Sequence, residues 1–127
     1  MKHSVERVVT AIQAGWSSET SASPDEWNDE NPALGQCVPS SLVAQDMLGG
    51  QLERLATIRD GKRETHYRNV LMGSKVLDVS RGQYPDDQVF EPAPVDSDVR
   101  EYVMQSESTR KRYELLLSRV VLALADA

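Results

Sequence analysis

The stretch "THYRNVLMGSKVLDVS", Thr65–Ser80, decides the fold. Two runs rich in β-branched and aromatic residues, 65–72 and 75–80, flank Gly73-Ser74. They read as two strands joined by a hairpin, hence antiparallel. Asp78 interrupts the apolar run between Leu77 and Val79. A carboxylate there is expensive to bury unless it is paired. His66, near the start of the preceding strand, is a suitable partner. Side chains alternate faces along a strand. The two therefore share a face only if an odd number of residues connects the strands. A three-residue loop Met72-Gly73-Ser74 meets that condition, and a two-residue loop without a bulge does not.

Working outward, "QLERLATIR" (51–59) reads as a third strand, joined to the second through Asp60-Gly61. Before it lies a helix over 37–48, with Leu42, Val43, Met47 and Leu48 as its apolar face. Pro39 falls in its first turn, where a missing N–H is tolerated, and Gly49-Gly50 ends it. Val5, Val8, Val9 and Ile12 recur at helical spacing after Ser4, which predicts a helix over 5–14 that stops at Gly15. Ser106 can cap a last helix over 107–125, striped by Tyr113, Leu116, Leu117, Val120 and Leu124. Residues 16–36 and 81–98 read as loops, and "REYVMQ" (100–105) as a short extended piece. The class is α+β: terminal helices covering a three-stranded antiparallel sheet, in a single domain over 1–127.

Composition narrows the function classes. The net charge of -6 disfavours nucleic acid, because phosphate binding relies on clustered Lys and Arg. The densest basic cluster, "RKR" at 110–112, reads as the solvated face of a helix. No apolar run is long enough to span a membrane. Glu6 and Arg7 stand where a signal peptide needs apolar residues, and a single free cysteine suits a reducing compartment, so the expected location is the cytoplasm. No C-x-x-C or H-E-x-x-H spacing supports a metal site. No cofactor is expected.

The one cysteine, Cys37, opens the 37–48 helix directly after Gly35-Gln36. A helix N-terminus stabilises a thiolate through its unpaired N–H groups and dipole, and the same groups can hold an oxyanion. A thiolate nucleophile also needs a base, and the base an orienting partner. His66 and Asp78 are the candidates. Gln36 is a candidate oxyanion or positioning residue. Trp16 and Trp27 either pin the 16–36 loop to the body or line a cleft. Asn69 either satisfies a buried turn or holds the imidazole or a substrate amide. Arg81 and Gln83 are weaker candidates for reading a substrate carboxylate.

"GQC" (35–37), "HYRN" (66–69) and "VLDVS" (76–80) resemble, in order, the three catalytic segments of the transglutaminase-like, papain-type superfamily. More narrowly, "GWSSETS", "NPALGQC", "HYRN", "LDVSRGQYP" and "STRKRYELL" resemble the YunG-like family of small uncharacterised bacterial proteins. The resemblance implies a papain/transglutaminase-like core with Cys37 as nucleophile, His66 as base and Asp78 as orienter. Val38 and Arg68 replace tryptophans of the animal transglutaminases, and Asp-Val-Ser replaces Asp-Ala-Thr. The implied activity is acyl transfer or hydrolysis on a peptide, protein or small amide. The alternative is a non-enzymatic module that uses the same cleft to bind a peptide or protein.

Overall fold

A computed structural model describes residues 3–125. Helix α1 is Val5–Ala14, α2 is Cys37–Leu48, α3 is Val99–Val103 and α4 is Glu107–Ala125. Strands β1 (Gln51–Arg59), β2 (Lys62–Leu71), β3 (Lys75–Leu77) and β4 (Glu91–Pro92) form one antiparallel sheet in the order β3-β2-β1-β4. The α+β class and the antiparallel hairpins agree with the sequence. The sheet has four strands rather than three. Glu91 and Pro92 lie in the segment expected to be loop, and they pair with Ala56 and Leu55 on the outer edge of β1. Pro is tolerated on an edge strand, where its missing N–H breaks no central ladder.

Residues 100–105 are a second departure. The segment expected to be extended is helical, because Asp98 caps it by accepting a hydrogen bond from the Glu101 N–H at 3.1 Å. Val99, Val103 and Met104 then fall on one side and pack against the core. Helix α1 is capped in the same way by Ser4, which accepts from the Arg7 N–H. It buries Val8, Ala11 and Ile12.

Helix α2 lies at the centre. Pro39 through Ala44 are all buried, so the helix has no consistently polar face and must be covered on every side. Helices α1 and α4 and the sheet provide that cover. Leu42, Val43 and Ala44 pack with Val8 and Ile12 of α1, Leu116 and Val120 of α4, and Leu52 and Tyr67 of the sheet. The polar atoms taken inside with α2 are satisfied across element boundaries. The Trp16 indole N–H donates to Ser40 Oγ at 2.8 Å, and Asn69 Nδ2 donates to the Ser41 carbonyl at 3.0 Å.

The β1–β2 turn is the two-residue Asp60-Gly61, both with positive φ, which suits the twist of a tight hairpin. The β2–β3 connection is the three residues Met72–Ser74. It pairs Asn69 with Leu77 and Val70 with Val76, so residues of like parity on the two strands share a face. His66 and Asp78 thus fall on the same side.

Gly50 joins α2 to β1 with φ +77°, and a Cβ built there would sit 2.4 Å from the Val70 carbonyl oxygen and 3.0 Å from Leu71 Cα. Gly61 also has positive φ but has open space around it. Gly50→Ala is therefore expected to destabilise by about 3 kcal/mol, and Gly61→Ala by about 1 kcal/mol. Urea midpoints with unchanged m-values would check both.

Candidate active site

The chain reaches Cys37 through a segment held tightly from beneath. Gln36 is fully buried. Its Oε1 accepts from Thr20 Oγ1 at 2.7 Å and its Nε2 donates to the Ser17 carbonyl at 3.0 Å. The Ala22 N–H donates to the Gly35 carbonyl at 2.9 Å, and Ser21 Oγ donates to the Leu34 carbonyl at 2.7 Å. These bonds tie the 17–22 turn to the entry of α2 and fix the position of Cys37. Of the two roles expected for Gln36, the geometry fits positioning: both amide heavy atoms are engaged inside the fold. No side chain caps α2 and its first turn holds no acidic residue. The positive end of the helix is thus left for whatever negative charge arises at Cys37.

His66 is fully buried, and its Nε2 lies 2.7 Å from Asp78 Oδ2. Strand β3 pairs only with residues 69–71, so β2 is an edge strand alongside His66 on that side. Asp78, one residue beyond the end of β3, fills the gap. The imidazole is walled by two rings, Tyr84 edge-on and Phe90 tilted, each with its centroid 5.1 Å away. Burial by itself lowers the pKa of His66. The hydrogen bond to Asp78, and the hydrogen-bonding and charge influence of the Cys37 thiol, outweigh it and push the value up to about 9. Nδ1 makes no well-formed hydrogen bond, so the thiol stands beside a nitrogen with no other partner.

A cleft of about 740 Å³ opens on Cys37. Val38, Arg59, Glu64, Tyr67, Tyr84 and Arg112 are among the residues that line it. Glu64 is already engaged: Arg59 Nη2 lies 2.7 Å from its Oε2 and Tyr84 Oη donates to the same oxygen at 2.8 Å. Desolvation first, and that bond second, push the Tyr84 phenol far above its ordinary pKa. Among the described residues no three His, Cys, Asp or Glu side chains converge as metal ligands, and no helix is long and apolar enough to cross a membrane.

The remaining predicted residues sit elsewhere. Trp16 is pinned to Ser40, and the Trp27 N–H donates to the Pro32 carbonyl at 2.9 Å. Neither lines the cleft at Cys37. Asn69 is fully buried and ties β2 to α2, so it has no path to a substrate. The two indoles are half-buried and give their N–H groups to acceptors away from the cleft, and Asn69 is spent on the α2 backbone through its Nδ2, with its Oδ1 buried and unpartnered. Gln83 does line the cleft, while Arg81 bonds the Tyr84 and Asp86 carbonyls. Sequence reasoning missed Tyr84, Phe90 and Arg112. The first two lie in a proline-rich segment without periodicity, and Arg112 lies in a cluster that reads as solvated.

This arrangement spans nearly the whole chain, from the α1 cap to the end of α4, and so does the family match. The chain belongs to the YunG protein family. The family model matches residues 4–125, which include Cys37, His66 and Asp78. No curated protein and no solved structure matches the chain.

The raised pKa of His66 gives the protein a pH-dependent stability of defined sign. Between 6.5 and about 9 the folded His66 holds a proton that the unfolded histidine releases. The stabilisation is complete below 6.5 and is lost as the pH rises through about 9. Urea unfolding at about pH 6 and about pH 9.5 should show that loss, and Asp78→Asn should flatten it. Asp78→Ala, which strands a buried imidazole, is expected to cost about 3 kcal/mol near neutral pH.

Proposed function

We propose that this protein is a thiol-dependent acyl-transfer or amide-hydrolysing enzyme with a Cys37-His66-Asp78 triad. The single observation that carries the proposal is His66: a fully buried imidazole with Nε2 bound to Asp78 and Nδ1 left without a partner next to Cys37. A structural histidine so deeply buried would be expected to have both ring nitrogens engaged. The order Cys, His, Asp along the chain is that of the transglutaminase-like, papain-type superfamily. The placement of the cysteine at a helix N-terminus and of the other two at neighbouring strands is consistent with that relationship.

The chemistry follows from the groups in place. At neutral pH Cys37 and His66 rest as a thiolate–imidazolium pair with the proton on Nδ1, and the thiolate attacks the carbonyl carbon of an amide or thioester. The carbonyl oxygen becomes an oxyanion, for which backbone N–H groups in the first turn of α2 are the natural donors. The tetrahedral intermediate collapses, the imidazolium delivers its proton to the leaving amine or thiol, and an acyl-thioester remains on Cys37. Water or an amine then attacks that thioester, with His66 as base, and restores the thiolate–imidazolium pair. Asp78 holds the imidazole in one orientation and stabilises its charged form throughout. A histidine with a pKa near 9 favours that charged form at neutral pH.

Alkylation by iodoacetamide tests this directly, since Cys37 is the one cysteine in the chain. Labelling of the folded protein near neutral pH should be fast and should fall by about tenfold or more in His66→Ala. Thermal unfolding of both proteins would exclude misfolding as the cause. A thiol that labels only after unfolding, or at a rate indifferent to His66, would overturn the enzyme and favour the peptide- or protein-binding module instead.

A further inference from the structure

Among the described residues, Arg112 is the half-buried basic residue of the Cys37 cleft that is in no ion pair; Lys62, also unpaired, is exposed. It lines the cleft from α4. Its Nε is buried and has no hydrogen-bond partner. Its guanidinium makes one hydrogen bond, Nη2 to Thr109 Oγ1 at 3.3 Å. Arg59, the other arginine that lines the cleft, is paired with Glu64. Burial pulls the Arg112 pKa below the ordinary arginine value, and the charge that opposes this is that of Cys37. Because Nε is sealed from solvent, a ligand in the cleft would meet the terminal Nη groups of the guanidinium, whose planar fork is shaped to receive a carboxylate.

The other charges of the cleft limit what anion fits. Glu64 is neutralised by Arg59. Lys62, at the exposed rim, is accompanied by Asp60 and Glu26, which also line the opening. The three cations of the lining, Arg59, Lys62 and Arg112, are matched in number by Glu26, Asp60 and Glu64, so the cleft has no surplus of positive charge and Arg112 is its one half-buried cation outside an ion pair, which suits a single carboxylate better than a doubly charged phosphate. We propose that the cleft takes an acyl donor bearing one carboxylate, and that Arg112 is the residue that binds it and so sets specificity. The identity of the ligand as an acyl donor rests on the role proposed above for Cys37. The anion site itself does not require the thiol to react.

Two measurements separate these layers. In the first, Cys37 is alkylated with iodoacetate and with iodoacetamide, which differ by one carboxylate and both form the S–C bond with loss of iodide. Arg112→Gln should lower the iodoacetate rate by about tenfold more than it lowers the iodoacetamide rate. Arg112→Lys, which keeps the charge, should recover part of the ratio and also serves if Arg112→Gln fails to fold. In the second, thermal shifts of Cys37→Ser are measured with N-acetylglycine, N-acetylglycinamide and inorganic phosphate. N-acetylglycine alone should raise the melting temperature, and Arg112→Gln or Arg112→Lys in the same background should abolish or reduce the shift. An equal fall with both alkylating reagents would make Arg112 a support for the thiolate and overturn the ligand role. An unchanged ratio, or a shift by phosphate and not by N-acetylglycine, would overturn it too. If neither reagent labels the folded protein, the nucleophile role of Cys37 fails, and the carboxylate site stands or falls on the thermal shifts alone.

Discussion

Everything in this fold is arranged around a helix whose middle has to be buried on all sides. From Pro39 to Ala44 helix α2 carries serines, a proline and aliphatic residues with no face that prefers water, and this stretch is enclosed by α1, α4 and the sheet. Enclosing a helix with polar side chains commits other elements to satisfying them. Trp16 serves Ser40, Asn69 serves the Ser41 carbonyl, and Ser17 and Thr20 serve Gln36. Each of these bonds also fixes α2 against a different neighbour. Cys37, at the start of the helix, inherits that rigidity. A nucleophile needs it, because misplacement by an ångström is costly to reaction rates.

The second constraint is the imidazole. A histidine with no exposure, in contact with Tyr84 and Phe90, should be neutral on grounds of desolvation alone. Asp78 and Cys37 reverse that preference. The two rings come from the 81–98 segment, whose two-residue strand β4 fastens it to the edge of the sheet through Leu55 and Ala56. Thr57 reinforces the attachment by donating to the Val89 carbonyl at 2.6 Å. A segment with little regular structure thereby closes off the buried side of the site, while Arg59 stacks over Tyr84, 4.5 Å from its ring centroid, and joins that wall to the cleft.

Much of this was legible in the sequence, and the parts that were not share a cause. Helices α1, α2 and α4 have the predicted limits, because capping residues and glycines are local signals read by the backbone within a turn. The hairpin parity that brings His66 and Asp78 to one face was a stated condition, met by Met72–Ser74. Strand β2 begins three residues earlier than its β-branched run, since pairing with β1 extends order into Lys62-Arg63-Glu64. Strand β3 is shorter than predicted, because the chain leaves the sheet so that Asp78 can reach the imidazole. Segment 100–105 was misread because a five-residue helix has too short a period to show, and its Asp98 cap lay in what looked like loop.

By itself the sequence determined the class, the order of α1, α2, β1, β2, β3 and α4, and the three residues proposed to form the triad. Those properties follow from short-range rules: apolar period, caps, turn residues and the cost of an unpaired carboxylate in an apolar strand. Only the tertiary structure decided which other polar groups face the cleft and which are spent holding the fold together. Trp16, Trp27 and Asn69 have the chemistry of a binding site, yet their donors are used inside. Arg112 has the chemistry of a solvated surface, yet it lies in the wall beside Cys37 with its Nε unmatched. The difference lies in where partners from distant parts of the chain arrive, and no local pattern records that.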